Sequence, residues 1–322
     1  MDHPEIRIMV YGDSNILARF SNFQETFSYK LQKYAAETLG KKIEVVNAGV
    51  AGYGPDQCLI KFEREADRFK PQLVILGIFA DNDFGDIIRN RLFEFDSQGR
   101  LVRNTDPIIP GGDLARISGF KGLASSLLIV RATKKIFGVT NEKKAAEAPE
   151  MKSEKNVDEK IQKLISLNDQ EFSIYKASQP RVLSLANDHY DMDVALFPKS
   201  SAAAEKIRLM DAILTRADRF ARTKNIKFLV LIQPSQIDLT TNGDISYKHL
   251  GKFPEYSRTN LTKPIEEICV RNGINYINLF KVFLKNGPDH LYRFKDNHWS
   301  DEGQDLAAKT TLEYLIAQNL VK

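Results

Sequence analysis

Several features that would mark out a particular class of protein are absent from this sequence of 322 residues. There are only two cysteines, Cys58 and Cys269, and both lie in patterns typical of amphipathic helices, which predicts buried free thiols rather than a disulfide. No Cys-x-x-Cys pair and no His-Glu-x-x-His segment occurs, so we predict neither a metal site nor a cofactor. No apolar run approaches the ~18 residues of a membrane span.

The number and distribution of the charged residues argue against a nucleic-acid-binding protein. Lys and Arg number 46 against 42 Asp and Glu, a net charge of +4, and the basic residues are dispersed without an aromatic-rich basic stretch. This predicts a solvated surface and no nucleic-acid partner. The first residues do not read as a signal peptide, so as written we expect a cytoplasmic protein, or a periplasmic or extracellular one if a signal or anchor has been removed. The sequence leaves the oligomeric state undetermined.

Five short apolar runs are typical of buried parallel strands, because they are continuous rather than alternating. They cover residues 6–11, 43–47, 72–78, 226–232 and 274–279. Helical patterns separate them, and a last helix is predicted over 301–317 with Ser300 as its N-cap. Strands that alternate with helices predict an α/β fold with a parallel sheet of about five strands covered on both faces.

The long gap between the third and fourth predicted strands does not fit a simple crossover, which needs one helix. We therefore predict a single domain over 1–322 with an inserted cap or lid at about 84–205. Within the insertion, residues 141–160 are highly charged and contain almost no large apolar side chains. That stretch is predicted to be either disordered or a solvated helix.

Four polar segments stand at predicted strand ends or at a helix start, where open α/β sheets bind ligands. They are Gly12-Asp13-Ser14-Asn15 and the segments 47–54, 76–83 and 296–303. Taken singly, each is explained by an ordinary turn, glycine-rich loop or helix cap. Together they meet the needs of acyl transfer from an ester, which are a nucleophile, a base, a group that orients the base, and donors for the oxyanion.

The residues of these segments can be given roles in that reaction. Ser14 supplies the nucleophilic oxygen, and His298, with Asp296 two residues before it, is the candidate base. The backbone N–H groups of Ser14 and Gly52 and the side-chain amide of Asn82 are candidate oxyanion donors. A glycine at position 52 allows close approach of the backbone to a substrate.

In these four blocks the chain resembles the SGNH (GDSL-type) hydrolase superfamily, whose signature residues are Ser, Gly, Asn and His in that order. The resemblance covers about the first 95 and the last 100 residues. It implies a three-layer α/β/α, flavodoxin-like fold and serine ester chemistry, with Ser14 as nucleophile, His298 as general base and Asp296 as its orienter. Many members place the acid three residues before the histidine, where this chain has Lys295, so Asp301 and Asp289 remain alternatives to Asp296.

Two acids beside Asn82 raise a question about the oxyanion site. Asp81 and Asp83 would oppose a developing negative charge there unless they point away or are paired.

The substrate is less defined than the reaction. By family likeness, small acyl groups, acetyl above all, on a carbohydrate or cell-envelope glycan fit best. Trp299 could stack on a sugar ring or be packed in the core, and Asp13 and Asn15 are further candidate substrate contacts. The alternatives are an O-acetyltransferase that uses the same acyl-enzyme, a non-catalytic carbohydrate-binding module, and a flavodoxin-like nucleotide or phosphate binder.

Overall fold

The computed structural model describes residues 4–104, 108–109, 154–177, 181–182 and 188–321. Its strands, in chain order, are β1 (Ile6–Tyr11), β2 (Ile43–Asn47), β3 (Leu73–Ala80), β4 (Phe93–Phe95), β5 (Leu101–Arg103), β6 (Ile108–Ile109), β7 (Arg181–Val182), β8 (Lys227–Pro234) and β9 (Asn275–Asn278). Its helices are α1 (Ser14–Leu17), α2 (Phe27–Leu39), α3 (Pro55–Phe69), α4 (Asp83–Asn90), α5 (Glu154–Lys176), α6 (Met192–Leu196), α7 (Ser201–Thr223), α8 (Gln236–Leu239), α9 (Tyr247–Leu250), α10 (Thr262–Asn272), α11 (Phe280–Lys285) and α12 (Asp301–Ala317).

The central sheet has five parallel strands in the order β2-β1-β3-β8-β9. All five are the strands predicted from apolar runs. β3 and β8 each begin one residue later and end two residues later than predicted, and β9 is one residue shorter at each end. The last helix has the predicted bounds, and the Ser300 hydroxyl caps it by accepting a hydrogen bond from the Gly303 N–H at 3.1 Å.

Helices cover both faces of the sheet because its strands are apolar on both sides. In β1, Ile8 and Val10 belong to one hydrophobic core, and Met9 and Tyr11 belong to the other. The first core also holds buried residues of α2 and α12, and the second holds those of α3, α7 and α10. The expected three-layer α/β/α architecture is confirmed.

The order of the strands fixes where a ligand site can lie. From β1 the chain adds β2 on one side, and then β3, β8 and β9 on the other. The order reverses between β1 and β3, and in open α/β sheets the crevice beyond the carboxyl ends of such strands is where ligands bind. The segments after these two strands contain Ser14 and Asn82.

The described parts of the predicted insertion pack onto the domain. Val157 and Ile161 of α5 and Met192 and Val194 of α6 are buried in the same core as α3 and α7. Residues 141–153 of the charged stretch lie outside the described residues, whereas 154–160 form the first turns of α5. That this region acts as a cap or lid stays a prediction.

Two sequence expectations about side chains and helices can be compared with the fold. Cys58 and Cys269 are buried and free, as predicted. Within the described ranges, no helix combines the length and the apolar character needed to cross a bilayer.

Candidate active site

Ser14 is the first residue of α1, directly after the turn that ends β1. The turn needs glycine at position 12, since a Cβ there would lie 2.5 Å from the side chain of Ile16. Asp13 caps the helix by accepting a hydrogen bond from the Asn15 N–H at 3.0 Å. Because α1 has only four residues, its helix dipole is weak, and an oxyanion at Ser14 must rely on individual N–H groups.

The glycine-rich loop after β2 packs against the Ser14 turn. The Val50 N–H donates to the Gly12 carbonyl at 3.0 Å, and this bond fixes the distance between the two loops. Gly52 has a φ of 71°, a left-handed conformation that glycine adopts without strain. The loop thus brings the predicted Gly52 backbone donor to the same edge of the sheet as Ser14.

His298 and Asp296 form a hydrogen-bonded pair. One carboxylate oxygen of Asp296 contacts Nδ1 of His298 and also accepts a hydrogen bond from the His298 backbone N–H at 3.1 Å. The hydrogen bond from His298 holds the pKa of Asp296 below its ordinary value, which keeps the carboxyl ionised. An ionised acceptor at Nδ1 favours the tautomer whose Nε2 is free to take a proton.

Neither alternative acid replaces Asp296 in this pair. The Asp301 carboxylate accepts a hydrogen bond from Arg293 at 3.4 Å, and Asp289 accepts one from Asn242 through its backbone carbonyl rather than its carboxylate. The short Asp-x-His spacing is therefore compatible with an acid–histidine hydrogen bond in this loop.

The residues on either side of His298 fix its position. Asn297 Oδ1 accepts a hydrogen bond at 2.9 Å from the N–H of Gln236, the first residue of α8. On the other side, the Trp299 N–H donates to Asn15 Oδ1 at 2.9 Å. Because Asn15 follows Ser14 in the chain, this second bond connects the nucleophile segment directly to the histidine segment.

The two catalytic candidates belong to segments joined by the Trp299–Asn15 hydrogen bond, but they are not hydrogen-bonded to each other in the described part of the chain. No hydrogen bond joins the Ser14 hydroxyl to His298 within the ranges that the structure describes. Catalytic hydrogen bonds are often long in enzymes without bound substrate, so this geometry is compatible with a serine and its base. The ring of Phe20 packs edge-on against the His298 imidazole at a centroid distance of 5.0 Å and forms one wall beside it.

Asn82 is the N-cap residue of α4 and is 3% exposed. Its Nδ2 group donates to Asp86 Oδ2 at 3.3 Å and also to Asp188 Oδ1. The sequence did not single out Asp188, which stands 106 positions further along the chain and belongs to no motif. The candidate oxyanion donor Asn82 therefore donates to two carboxylates in this structure, and its role stays a prediction.

The acids next to Asn82 are paired, as the oxyanion hypothesis requires. Asp81 Oδ1 accepts a hydrogen bond from the Ser235 hydroxyl at 2.5 Å, and Asp83 Oδ2 accepts one from the Phe79 N–H at 2.6 Å. Burial raises the pKa of Asp81 to about 7. Burial, with the charge of Asp13, raises the pKa of Asp83 well above its ordinary value. The raised pKa values increase the protonated fraction of both carboxyl groups and so lower the negative charge that they place near the site.

Three predicted substrate contacts are buried instead. Trp299 is 1% exposed and packs against Phe283 with ring centroids 5.5 Å apart, so the sugar-stacking interpretation is wrong and the core interpretation is right. Asn15 is 1% exposed and holds the Trp299 backbone. Asp13 is 5% exposed and caps α1. The side chains of these three residues could each bind a ligand, but in this structure they are buried beneath the loops. There they support the loops that contain Ser14 and His298.

The site combines a half-buried serine, an acid–histidine pair and candidate N–H donors at one edge of the sheet. The structure brings Ser14, Gly52, Asn82, Asp296 and His298 to this edge from four separate segments. In the described part of the chain, no group of three or more His, Cys, Asp or Glu side chains is arranged to hold a metal ion.

Comparison with known proteins gives similarity in structure but not in sequence. No family model matches the chain, and neither does any curated protein. Among solved structures, it is similar to a psychrotrophic esterase from Pseudoalteromonas sp. (12% identity, 98% of this chain and 99% of that chain, TM-score 0.46). It is also similar to a lipase/acylhydrolase from Enterococcus faecalis (10% identity, 97% and 96%, TM-score 0.46) and to an acetyl xylan esterase (13% identity, 96% and 98%, TM-score 0.45).

At these identities and TM-scores, the likenesses carry no argument about the roles of individual residues, which rest on the geometry described above. The solved structures named here, to which the chain is similar over nearly its whole length, are esterases and a lipase.

Proposed function

We propose that this chain is a serine esterase of the SGNH type that acts on small acyl esters through an acyl-enzyme. The observation that carries the proposal is the pairing of Asp296 with His298 on a segment that is hydrogen-bonded, through Trp299 and Asn15, to the residue after Ser14. A purely structural turn does not require an ionised acid on Nδ1 of a histidine whose next residue is hydrogen-bonded to the residue after a serine.

The reaction then follows from the positions of these groups. Ser14 Oγ attacks the acyl carbon while its proton passes to Nε2 of His298, and Asp296 stabilises the imidazolium that forms. The N–H groups of Ser14 and Gly52 and the amide of Asn82 stabilise the oxyanion. The alcohol leaves with the proton from His298, and water then attacks the acyl-enzyme by the same route to release the acid.

Small acyl groups on a carbohydrate are the substrate class we propose, with acetyl first. Polar side chains around the site support this choice, since Asn82 and Asp188, among the described residues, meet at the edge of the sheet after β3. Transfer of the acyl group to a sugar hydroxyl instead of water would use the same residues.

Hydrolysis of p-nitrophenyl acetate, butyrate and octanoate by the wild type and Ser14→Ala tests the proposal. We expect turnover that falls with chain length and is lost in Ser14→Ala, which keeps the fold. Turnover that Ser14→Ala retains would remove Ser14 from the mechanism. If added glycan hydroxyls accelerate ester consumption and become acylated, the enzyme is a transferase rather than a hydrolase.

A further inference from the structure

The amide of Asn82 cannot act as an oxyanion donor while both its N–H bonds are engaged by carboxylates. One goes to Asp86 Oδ2 at 3.3 Å and the other to Asp188 Oδ1. Asn82 is 3% exposed, and its own Oδ1 lacks a hydrogen-bond partner among the described residues, so no second arrangement stabilises it. For the reaction to proceed, one carboxylate must give up its hydrogen bond.

Asp86 is held firmly and Asp188 is not. Arg89 binds Asp86 as an ion pair whose side chains are 2% and 1% exposed, and both residues belong to α4. Breaking that pair would leave an uncompensated buried charge. Asp188 is an exposed residue whose contact with Asn82 is partly buried, and Asn82 is the hydrogen-bond partner of its side chain within the described ranges. The charge of Arg89 also acts on Asp188, but no hydrogen bond joins these two side chains in the described part of the chain. Asp188 is therefore the carboxylate that can be exchanged.

The backbone near Asp188 is fixed even though its side chain is accessible. The Asp191 N–H donates to the Asp81 carbonyl at 2.7 Å, and the Asp191 carboxylate accepts from the Gly85 N–H at 3.0 Å. The charge of Asp188 also acts on Asp13, the residue before Ser14, which interacts with His298 as well. A negative charge is thus held beside the place where the ester would react.

We propose that Asp188 determines substrate specificity by exchanging Asn82 for a positively charged group on the alcohol part of the ester. This inference rests on the proposed esterase function. A cation that pairs with Asp188 releases Asn82 Nδ2 for the oxyanion and neutralises a charge that would oppose it. The substrate class is then an acyl ester of an amino alcohol or amino sugar whose ammonium group lies close to the ester.

Acetylcholine and its uncharged isostere, 3,3-dimethylbutyl acetate, provide a matched pair of esters for the test. For the wild type at constant pH and ionic strength, we expect kcat/KM to be about tenfold higher for the cationic ester, which corresponds to about 1.4 kcal/mol. Asp188→Asn should bring the ratio close to one, because it removes the charge but keeps an acceptor for Asn82. Asp188→Ala also removes the acceptor, so it should bring the ratio close to one and in addition raise turnover of the neutral ester, because Asn82 is then released in every molecule.

Asp301→Asn is the control, since it removes the same charge from the His298 side of the site, where Asp301 contacts Arg293. It should leave the ratio of the two esters unchanged. Equal kcat/KM values for the two esters in the wild type, or a preference for the cationic ester that survives Asp188→Asn, would overturn the role of Asp188. Ser14-dependent hydrolysis would still support the esterase in either case. Absence of Ser14-dependent hydrolysis of every ester would overturn both proposals.

Discussion

Replacing Asn15 with alanine tests whether the link between the serine and histidine segments supports catalysis. Asn15 is 1% exposed, and its Oδ1 is the acceptor for the Trp299 N–H at 2.9 Å. Alanine leaves that N–H without a partner in the protein interior, a cost of about 1–3 kcal/mol in the free energy of unfolding. The backbone carbonyl of Asn15, which accepts from Gln304 Nε2 at 3.0 Å, is unaffected.

The effect on catalysis should exceed what lost stability explains. His298 directly precedes Trp299, so loosening the Trp299 backbone lets the imidazole move relative to Ser14. A displacement of ~1 Å can lower the rate by about 10²-fold, and we expect kcat to fall by this order while KM changes little.

The assays are urea denaturation for stability and hydrolysis of p-nitrophenyl acetate for kcat, at a temperature where the variant is fully folded. Asn260→Ala serves as the control, because Asn260 Nδ2 donates to the Ala195 and Glu255 carbonyls at 2.8 Å rather than to the histidine segment. It should lose stability but keep kcat. An Asn15→Ala protein that is destabilised yet has wild-type kcat would refute the reasoning.

Three further changes have defined outcomes. Asp296→Asn should lower kcat by about 10²–10⁴-fold, because a neutral amide does not stabilise the imidazolium; a loss below threefold in steady-state kinetics would assign the orienting role elsewhere. Trp299→Ala should lower the free energy of unfolding by about 3–5 kcal/mol in denaturant titrations, since the ring is buried against Phe283; an exposed, sugar-binding ring would cost far less. Burial raises the pKa of Asp56 to about 7, above its unfolded value, so its contribution to stability is present at acid pH and is lost as pH rises to about 7. Asp56→Asn should flatten that part of the stability profile, and an unchanged slope would contradict the assignment.

The sheet and the ends of its strands could be predicted because their causes are local. Continuous apolar runs are needed wherever a strand is buried on both faces, as β3 is along its whole length. The final helix was predicted with its bounds because the Ser300 hydroxyl is a strong helix-start signal and Asp301 follows in the first turn. The parts of the site that follow strands could be predicted for the same reason.

The parts of the site that the sequence did not predict depend on contacts between residues far apart in the chain. Asp188 lies near Asn82 because α5, α6 and α7 pack on the same core, and no local sequence pattern predicts that contact. The sequence leaves Trp299 open between sugar stacking and core packing and makes Asn15 a candidate substrate contact, because both side chains are suited to binding. Both are buried in the structure, and their hydrogen bond connects the two loops. Their place next to Ser14 and His298 is a signal that could have suggested a supporting role.

Covalent labelling of Ser14 tests the central claim most directly. The wild type, Ser14→Ala and His298→Ala would be treated with a fluorophosphonate, and the modified residue would be located by mass spectrometry of peptides. The account predicts one adduct, on Ser14, that is absent from Ser14→Ala and forms much more slowly in His298→Ala. An unmodified Ser14 in the folded wild type, or an adduct whose rate does not depend on His298, would contradict it.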